Sequence, residues 1–373
     1  MGVRDIPIRV IREQLQSRVH ELVPLLVPGG RREGNVWSAP NPTRAGDTRG
    51  SFKVWLSGNS PGCFKEYDAG ENEQGDIIDL IAFAHFGDKS KRGDAIRWAK
   101  DYLGLDELTS AQRDRLKREA EYRREKAAQR EAEQDQNRRR RAFDMFIGAQ
   151  KSLRGTLAET YLLTRGIELD ALPHAEHGEL RFKHELEWWK GARWEQIGRR
   201  REKIRPGPAR PAIIAALRNW KGEITGVHCT FLAADGSAKA DLDPPKLVFG
   251  SVKECVVRLS RGPSGLSPEE WLKQKPRPPA DPLVICEGIE TGLSIAMAVP
   301  EARVWAAYSL SNIGNVYVDH PCVSSVVVAG ENDTKPAAVT AFNRAIERLE
   351  EHGKPVADMR SHVGSDFNDL MKG

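Results

Sequence analysis

The stretch that decides the fold is Pro282-Leu283-Val284-Ile285-Cys286-Glu287-Gly288-Ile289-Glu290-Thr291-Gly292. Leu283 to Cys286 is an apolar run of strand length. Glu287-Gly288 stops it, and the apolar-periodic residues that follow, GLSIAMAV, read as a helix. Strand, tight turn and helix put Glu287 at the carboxyl end of a strand, where open α/β sheets gather their chemistry.

The same pattern repeats downstream. Val304 to Ala307 reads as a second strand, followed by Ser309-Leu310-Ser311-Asn312. Ser325 to Ala329 reads as a third, ending in Gly330-Glu331-Asn332-Asp333. A helix over Ala337 to Glu351 puts Phe342, Ala345, Ile346 and Leu349 on one face, and Gly353 ends it. Pro355 to Met359 is a fourth strand, and Ser365-Asp366-Phe367-Asn368-Asp369-Leu370 closes the region. Strands alternating with helices imply a parallel sheet. Three acidic sites then stand at strand ends of one small unit: Glu287, the pair Glu331 and Asp333, and the pair Asp366 and Asp369. Clustered carboxylates raise one another's pKa unless a cation is bound. Oxygen donors suit hard ions, Mg²⁺ or Mn²⁺. Such ions bridge triphosphate oxygens and help a 3′-hydroxyl attack in line.

Upstream of Pro282 the chain is mixed α/β. Residues 1 to about 30 read as one amphipathic helix ended by Pro28-Gly29-Gly30. Short strands are expected at Asn35 to Ser38, Ser51 to Leu56 and Cys63 to Tyr67. Helices follow over GDIIDLIAFAHFG, with Asp76 as N-cap, and over Lys91 to Leu103. Lys53, Trp55, Lys65 and Tyr67 interleave cations with aromatic rings, which suits single-stranded nucleic acid as well as it suits an ordinary strand face. Residues 106–150 are a charged helical run with few apolar positions, read as a solvated linker that includes Arg138 to Arg141. Residues 151–280 carry a helix ending at Gly166, a strand at Leu180 to Phe182, a hairpin turning at Asn219 to Gly222, and Pro245 to Gly250. A Pro-rich linker from Arg261 follows. Within it Trp188 to Arg210, rich in Trp, Arg and Lys, reads as an exposed insertion. The domain boundaries expected are thus 1–105, 106–150, 151–280 and 281–373.

At 373 residues, with 29% charged and 39% hydrophobic residues, the chain is globular and long enough for two or three domains. Its net charge of +4 is small, but Lys and Arg concentrate between Arg113 and Arg210 while the C-terminal third holds the acids. That asymmetry points to a polyanion partner and an acidic site that needs a cation. The five Cys are scattered without a Cys-x-x-Cys pair, which fits free thiols in a reducing cytoplasm. No apolar run approaches membrane-span length, so no membrane partner is expected. No P-loop is present, so a replicative helicase, if one cooperates, would be a separate protein.

The ordered set CEGIETGLS, GEND and DFNDLM resembles the Toprim domain shared by DnaG-type primases, topoisomerases and some nucleases. It is most similar to the Toprim primases of phages and mobile elements. YLLTRGI, LRF, RPAIIAALRNWKGEITGVHCTFL and PKLVFG follow the order of the primase core ahead of its Toprim part. The N-terminal strands with GDIIDLI resemble that family's zinc-ribbon domain. SAPNP stands where its first ligand pair would be and Cys63 alone near the second, so no zinc is expected. The resemblance implies an α/β (α+β) architecture: a Rossmann-like parallel Toprim sheet, a mixed primase core and a small β-ribbon-plus-helix N-terminal domain. It implies template-directed synthesis of RNA primers from NTPs on single-stranded DNA. Glu287, Glu331 and Asp333 would be catalytic and hold Mg²⁺ or Mn²⁺, with Asp366 and Asp369 as supporting acids. Arg165 and Lys246 would hold template or nucleotide, as would Arg199, Arg200 and Arg201 of the basic insertion. Glu331 replaces the first Asp of the family's Asp-x-Asp, and Thr334-Lys335-Pro336 stand where a Gly is usual. The same acids would also serve a metal-dependent nuclease, or the fold could be kept for DNA binding alone.

Overall fold

The computed structural model describes residues 6–44, 46–48, 50–68, 73–105, 109–172, 178–198 and 200–372. The chain divides into two compact units, Met1–Glu131 and Ala132–Gly373.

The first unit opens with α1 (Ile8–Ser17) and α2 (Val19–Leu26), two helices where the periodicity suggests one. Arg18 leaves the helical region between them. Val10, Ile11, Leu15, Val19 and Leu22 still form one buried stripe. Five antiparallel strands follow in sequence order: β1 (Arg31–Glu33), β2 (Val36–Ala39), β3 (Phe52–Trp55), β4 (Phe64–Glu66) and β5 (Gln74–Gly75). The outer two are short and polar and give no sequence signal. On β3 the side chains alternate, so Phe52 and Val54 are buried while Lys53 and Trp55 face outward. Phe52 and Phe64 stack on Phe83 of α3 (Ile77–Phe86), with centroids 5.7 and 5.5 Å away. Asp76 and Asp79 start α3 with a reciprocal capping box, and Gly87, at φ 72°, ends it in the left-handed region. Helix α4 is Arg92–Tyr102.

Helix α5 (Ser110–Ile147) is 38 residues long. Most of it is exposed, but its last turns differ from a solvated linker: Ala142 and Phe146 are buried against the sheet of the second unit's first layer. That layer holds α6 (Leu157–Thr164), β6 (Leu180–Glu187), the hairpin β7 (Arg193–Ile197) and β8 (Arg200–Arg205), and β9 (Ala209–Arg218), β10 (Ile224–Phe231) and β11 (Lys246–Gly250). Its antiparallel sheet runs β11-β10-β9-β6, while among the described residues β7 and β8 pair only with each other.

The second layer is the sheet around Pro282. Its elements are β12 (Val257–Arg261), α7 (Pro268–Lys273), β13 (Asp281–Cys286), α8 (Ile289–Ala298), β14 (Arg303–Ala306), α9 (Leu310–Ile313), β15 (Val323–Gly330), α10 (Pro336–Glu350) and β16 (Val356–Arg360). The order is β12-β14-β13-β15-β16. Pairing is parallel from β14 to β16, as expected, and antiparallel at β12. Strand β12 lies upstream of Pro282 and carries no strand signal in the sequence, because VRLSR lacks an apolar run. The Pro-rich segment is not a bare linker. It contains α7, capped reciprocally by Ser267 and Glu270, which buries Trp271. Arg303, 1% exposed, pairs with Asp281 at 2.8 Å and donates to the Leu266 carbonyl, fastening that segment to β14.

The two layers of the second unit share one core: Tyr161, Ile213 and Ala215 pack in the same cluster as Val284, Leu293 and Ala296. Helix α8 approaches so closely that a Cβ on Gly292 would sit 2.5 Å from Leu259 and 2.8 Å from the Cys286 sulfur. Among the described residues no helix is long and apolar enough to cross a membrane.

Candidate active site

Glu287 follows the central strand β13, and Glu331 and Asp333 follow its parallel neighbour β15. All three line one small recess together with Leu310, Phe342 and Arg360. The apolar strands are buried from both sides, so the first polar residue past each strand end is the first free to reach solvent. That is why the topology collects acids here.

The electrostatics follow from this crowding. Burial raises the Glu287 pKa, and Asp333 raises it further. The Leu310 N–H at the start of α9 and the charge of Lys246 work the other way. Glu331 reaches solvent, yet enough protein surrounds it for desolvation to raise its pKa, and Glu287, Asp366 and Asp333 add repulsion. Thus four carboxylates sense one another across two strand ends and the C-terminal loop.

The loops are held by backbone contacts. Asn332 donates from its amide to the Ser361 carbonyl at 2.8 Å and the Gly364 carbonyl at 3.0 Å, tying the β15 loop to the Asp366 loop. Asp333 accepts from the Lys335 N–H at 2.9 Å just before Pro336 opens α10. Arg360 stacks on Phe342, 4.4 Å from the ring centroid, and donates to the Glu331 carbonyl.

The other sequence-derived candidates separate. Asp366 accepts from the Asn368 N–H at 2.8 Å and keeps its charge within reach of Glu331. Asp369 turns back into its own loop, accepting from the Ser365 N–H at 2.7 Å and hydroxyl at 2.8 Å. Arg165 sits at the end of α6, its carbonyl taking a 2.8 Å hydrogen bond from buried Asn368. Lys246 makes a 3.1 Å ion pair with Glu290. Arg200 and Arg201 lie on the exposed strand β8. Arg199 falls outside the described residues.

Glu290 is the residue that sequence reasoning missed. It is only 5% exposed, yet Lys246, Lys239 and the hydrogen bond from Lys239 hold its pKa well below the carboxylate range despite desolvation. Lys239 approaches to 2.9 Å. His228 lies beside this group on β10. Burial and the two Lys charges lower its pKa to about 4.

An all-carboxylate recess fits a hard divalent cation in donor chemistry. Among the described residues no three His, Cys, Asp or Glu side chains converge tightly enough to hold an ion as they stand. Fit therefore rests on the donor set and on the repulsion within it, which a cation would relieve.

Residues 282–373 match the family model described as a Toprim domain. The Toprim resemblance read from the motifs stands on that match. Residues 136–259 match a second model, described as a domain of unknown function (DUF7146). Three primase structures match at low identity and low TM-score. The Aquifex aeolicus primase (zinc-binding and RNA polymerase domains) is 14% identical, with 98% of this chain and 81% of that one covered at a TM-score of 0.38. A DNA primase domain from Pseudomonas aeruginosa is 16% identical, with coverages of 63% and 74% and a TM-score of 0.38. The primase fragment of the bacteriophage T7 primase-helicase protein is 14% identical, with coverages of 56% and 67% and a TM-score of 0.34. No curated protein matches the chain in sequence. The level the family models support is a Toprim domain over residues 282–373.

Proposed function

We propose that the chain is a primase-type nucleotidyltransferase of a phage or mobile element, making RNA primers from NTPs on single-stranded DNA. The observation that carries this reading is the convergence of Glu287, Glu331 and Asp333 in one recess, with the pKa values of both glutamates raised. Glu287, Glu331 and Asp333 would hold Mg²⁺ or Mn²⁺, which would neutralise phosphate charge and lower the pKa of a bound hydroxyl. Asp366 adds negative potential at the rim. The chain's own residues supply positioning. Asn332 holds the Glu331–Asp333 loop against the Asp366 loop, and the Leu310 N–H orients Glu287. A glutamate with a raised pKa is also a suitable acceptor for the proton of an attacking hydroxyl.

The test is primer synthesis from labelled NTPs on a single-stranded template with either metal. Wild type should extend, and Asp333→Ala should lose at least about a hundredfold in rate, as expected for a group acting on the transition state. Equal product from both proteins would overturn the reading.

A further inference from the structure

We propose that the β7–β8 hairpin is a single-strand holding arm, in which Trp194 stacks one base while Arg201 and Lys203 take the flanking phosphates. Every residue of both strands is exposed. A lone two-stranded hairpin gains little stability from itself, so its form depends on its base. There Trp188 donates from its indole to the Pro244 carbonyl at 3.0 Å, and its N–H donates to the Pro208 carbonyl at 2.8 Å. Trp189 packs edge-on against Phe231 and Phe249, each 6.1 Å away. Trp188 and Trp189 are thus anchors, and only Trp194 of the three stands free.

The register sorts the arm into two unlike faces. Trp194 is opposite Lys203 and Gln196 opposite Arg201, so these four share a side that carries no acid from the hairpin. Glu195 and Glu202 oppose each other on the other side, with Arg193, Ile197, Arg200 and Arg205. Arg201 and Lys203 both lie over the Trp194 ring, 5.9 and 5.4 Å from its centroid, yet the residue remains 42% exposed. Glu187 fixes the geometry: its carboxylate accepts from Lys203 at 2.8 Å and from the Gly207 N–H at 3.0 Å. Gly207 permits that close approach, since a Cβ there would meet the Trp188 carbonyl at 2.0 Å.

An exposed ring with two cations beside it matches a chain of alternating bases and phosphates. Duplex DNA hides its base faces and would engage the cations alone. The proposal takes from the primase-like reading only the identity of the strand, a DNA template.

The experiment measures fluorescence anisotropy of labelled oligo(dT) and of a matched duplex with the full chain, without divalent metal, across a salt series. Trp194→Ala should weaken oligo(dT) binding roughly tenfold with the salt slope kept, and Trp194→Phe should retain most of it. Arg201→Gln with Lys203→Gln should lower the slope by about 1.4, at about 0.7 per lost single-strand phosphate contact. Unchanged oligo(dT) binding by Trp194→Ala, or equal losses on strand and duplex, would overturn the arm; equal losses would mark a surface for phosphate or for an acidic protein. Primer synthesis on the same proteins separates the two proposals. Trp194-dependent binding without any primer product refutes the catalytic reading and leaves the arm.

Discussion

Tyr161 on α6 donates a 2.8 Å hydrogen bond to Glu290 on α8, although 129 positions separate them. Lys239 and Lys246 close on the same carboxylate. One buried anion therefore binds three separate segments of the second unit. Removing it leaves two ammonium groups short of their partner. Glu290→Ala should cost roughly 2–4 kcal/mol in urea unfolding, below the full figure for a buried pair because both lysines are partly exposed. Tyr161→Phe, which removes one hydrogen bond to a charge, should cost about 1.5–3 kcal/mol. A loss under about 0.5 kcal/mol for Glu290→Ala would show that water replaces the carboxylate without penalty.

His228 makes stability depend on acid. Its ordinary pKa of 6.5 falls to about 4 in the fold, where it faces Lys239, Lys246 and Glu290. Between these values the unfolded chain binds one proton more than the folded chain, so stability falls as pH drops from about 6.5 to 4. The displacement is worth at most roughly 3 kcal/mol. His228→Gln should flatten the difference between unfolding free energies at pH 7 and pH 4.5. Parallel pH profiles for the two proteins would contradict this.

The acid recess should bind Mn²⁺ with proton release, because Glu287 and Glu331 both have raised pKa values. The melting temperature of wild type should therefore rise with Mn²⁺, and more at pH 8 than at pH 5.5. Linkage gives about 2.7 kcal/mol at a hundredfold excess over Kd. Glu331→Gln should gain less from Mn²⁺ and, without metal, melt no lower than wild type, since one repelling charge is gone. An identical Mn²⁺ response in both proteins would remove Glu331 from the metal set.

Asp281 and Arg303 form a pair that is 8% and 1% exposed in its side chains. Asp281→Ala strands a buried guanidinium and should cost roughly 3–5 kcal/mol. The double change with Arg303→Met should recover part of that, because it removes the stranded charge. Chemical denaturation of the two variants measures the difference. A double variant no more stable than Asp281→Ala would place the loss in packing.

Legibility in the sequence followed range. Strand β13 and its turn were readable from eleven consecutive residues, since an apolar run ended by Glu-Gly is a local signal. The placement of Glu287, Glu331 and Asp333 at parallel strand ends followed from the same repeat. Glu290 reads locally as the first turn of a helix, and nothing nearby reveals partners 44 and 129 positions upstream. Strand β12 escaped because an edge strand with one polar face has no apolar run. In the DFND segment Asp369 looks as free to reach the cleft as Asp366, but a carboxylate four residues past a serine can satisfy that serine's own backbone instead. The three Trp of the basic insertion looked alike in sequence. Only the fold distinguishes two rooted rings from one presented ring.

The antiparallel strand β12 sets the true margin of the C-terminal sheet. A fragment cut at Pro282 would carry every acid of the recess and still lack the strip that closes β14. Its naked edge would offer unpaired N–H and C=O groups to any neighbouring copy, inviting aggregation. Asp281 and the Leu266 carbonyl would leave with the cut, taking both the ion-pair partner and the anchor of Arg303. Transplanting the chemistry would therefore mean moving the hem along with the cloth, from Val257 onward.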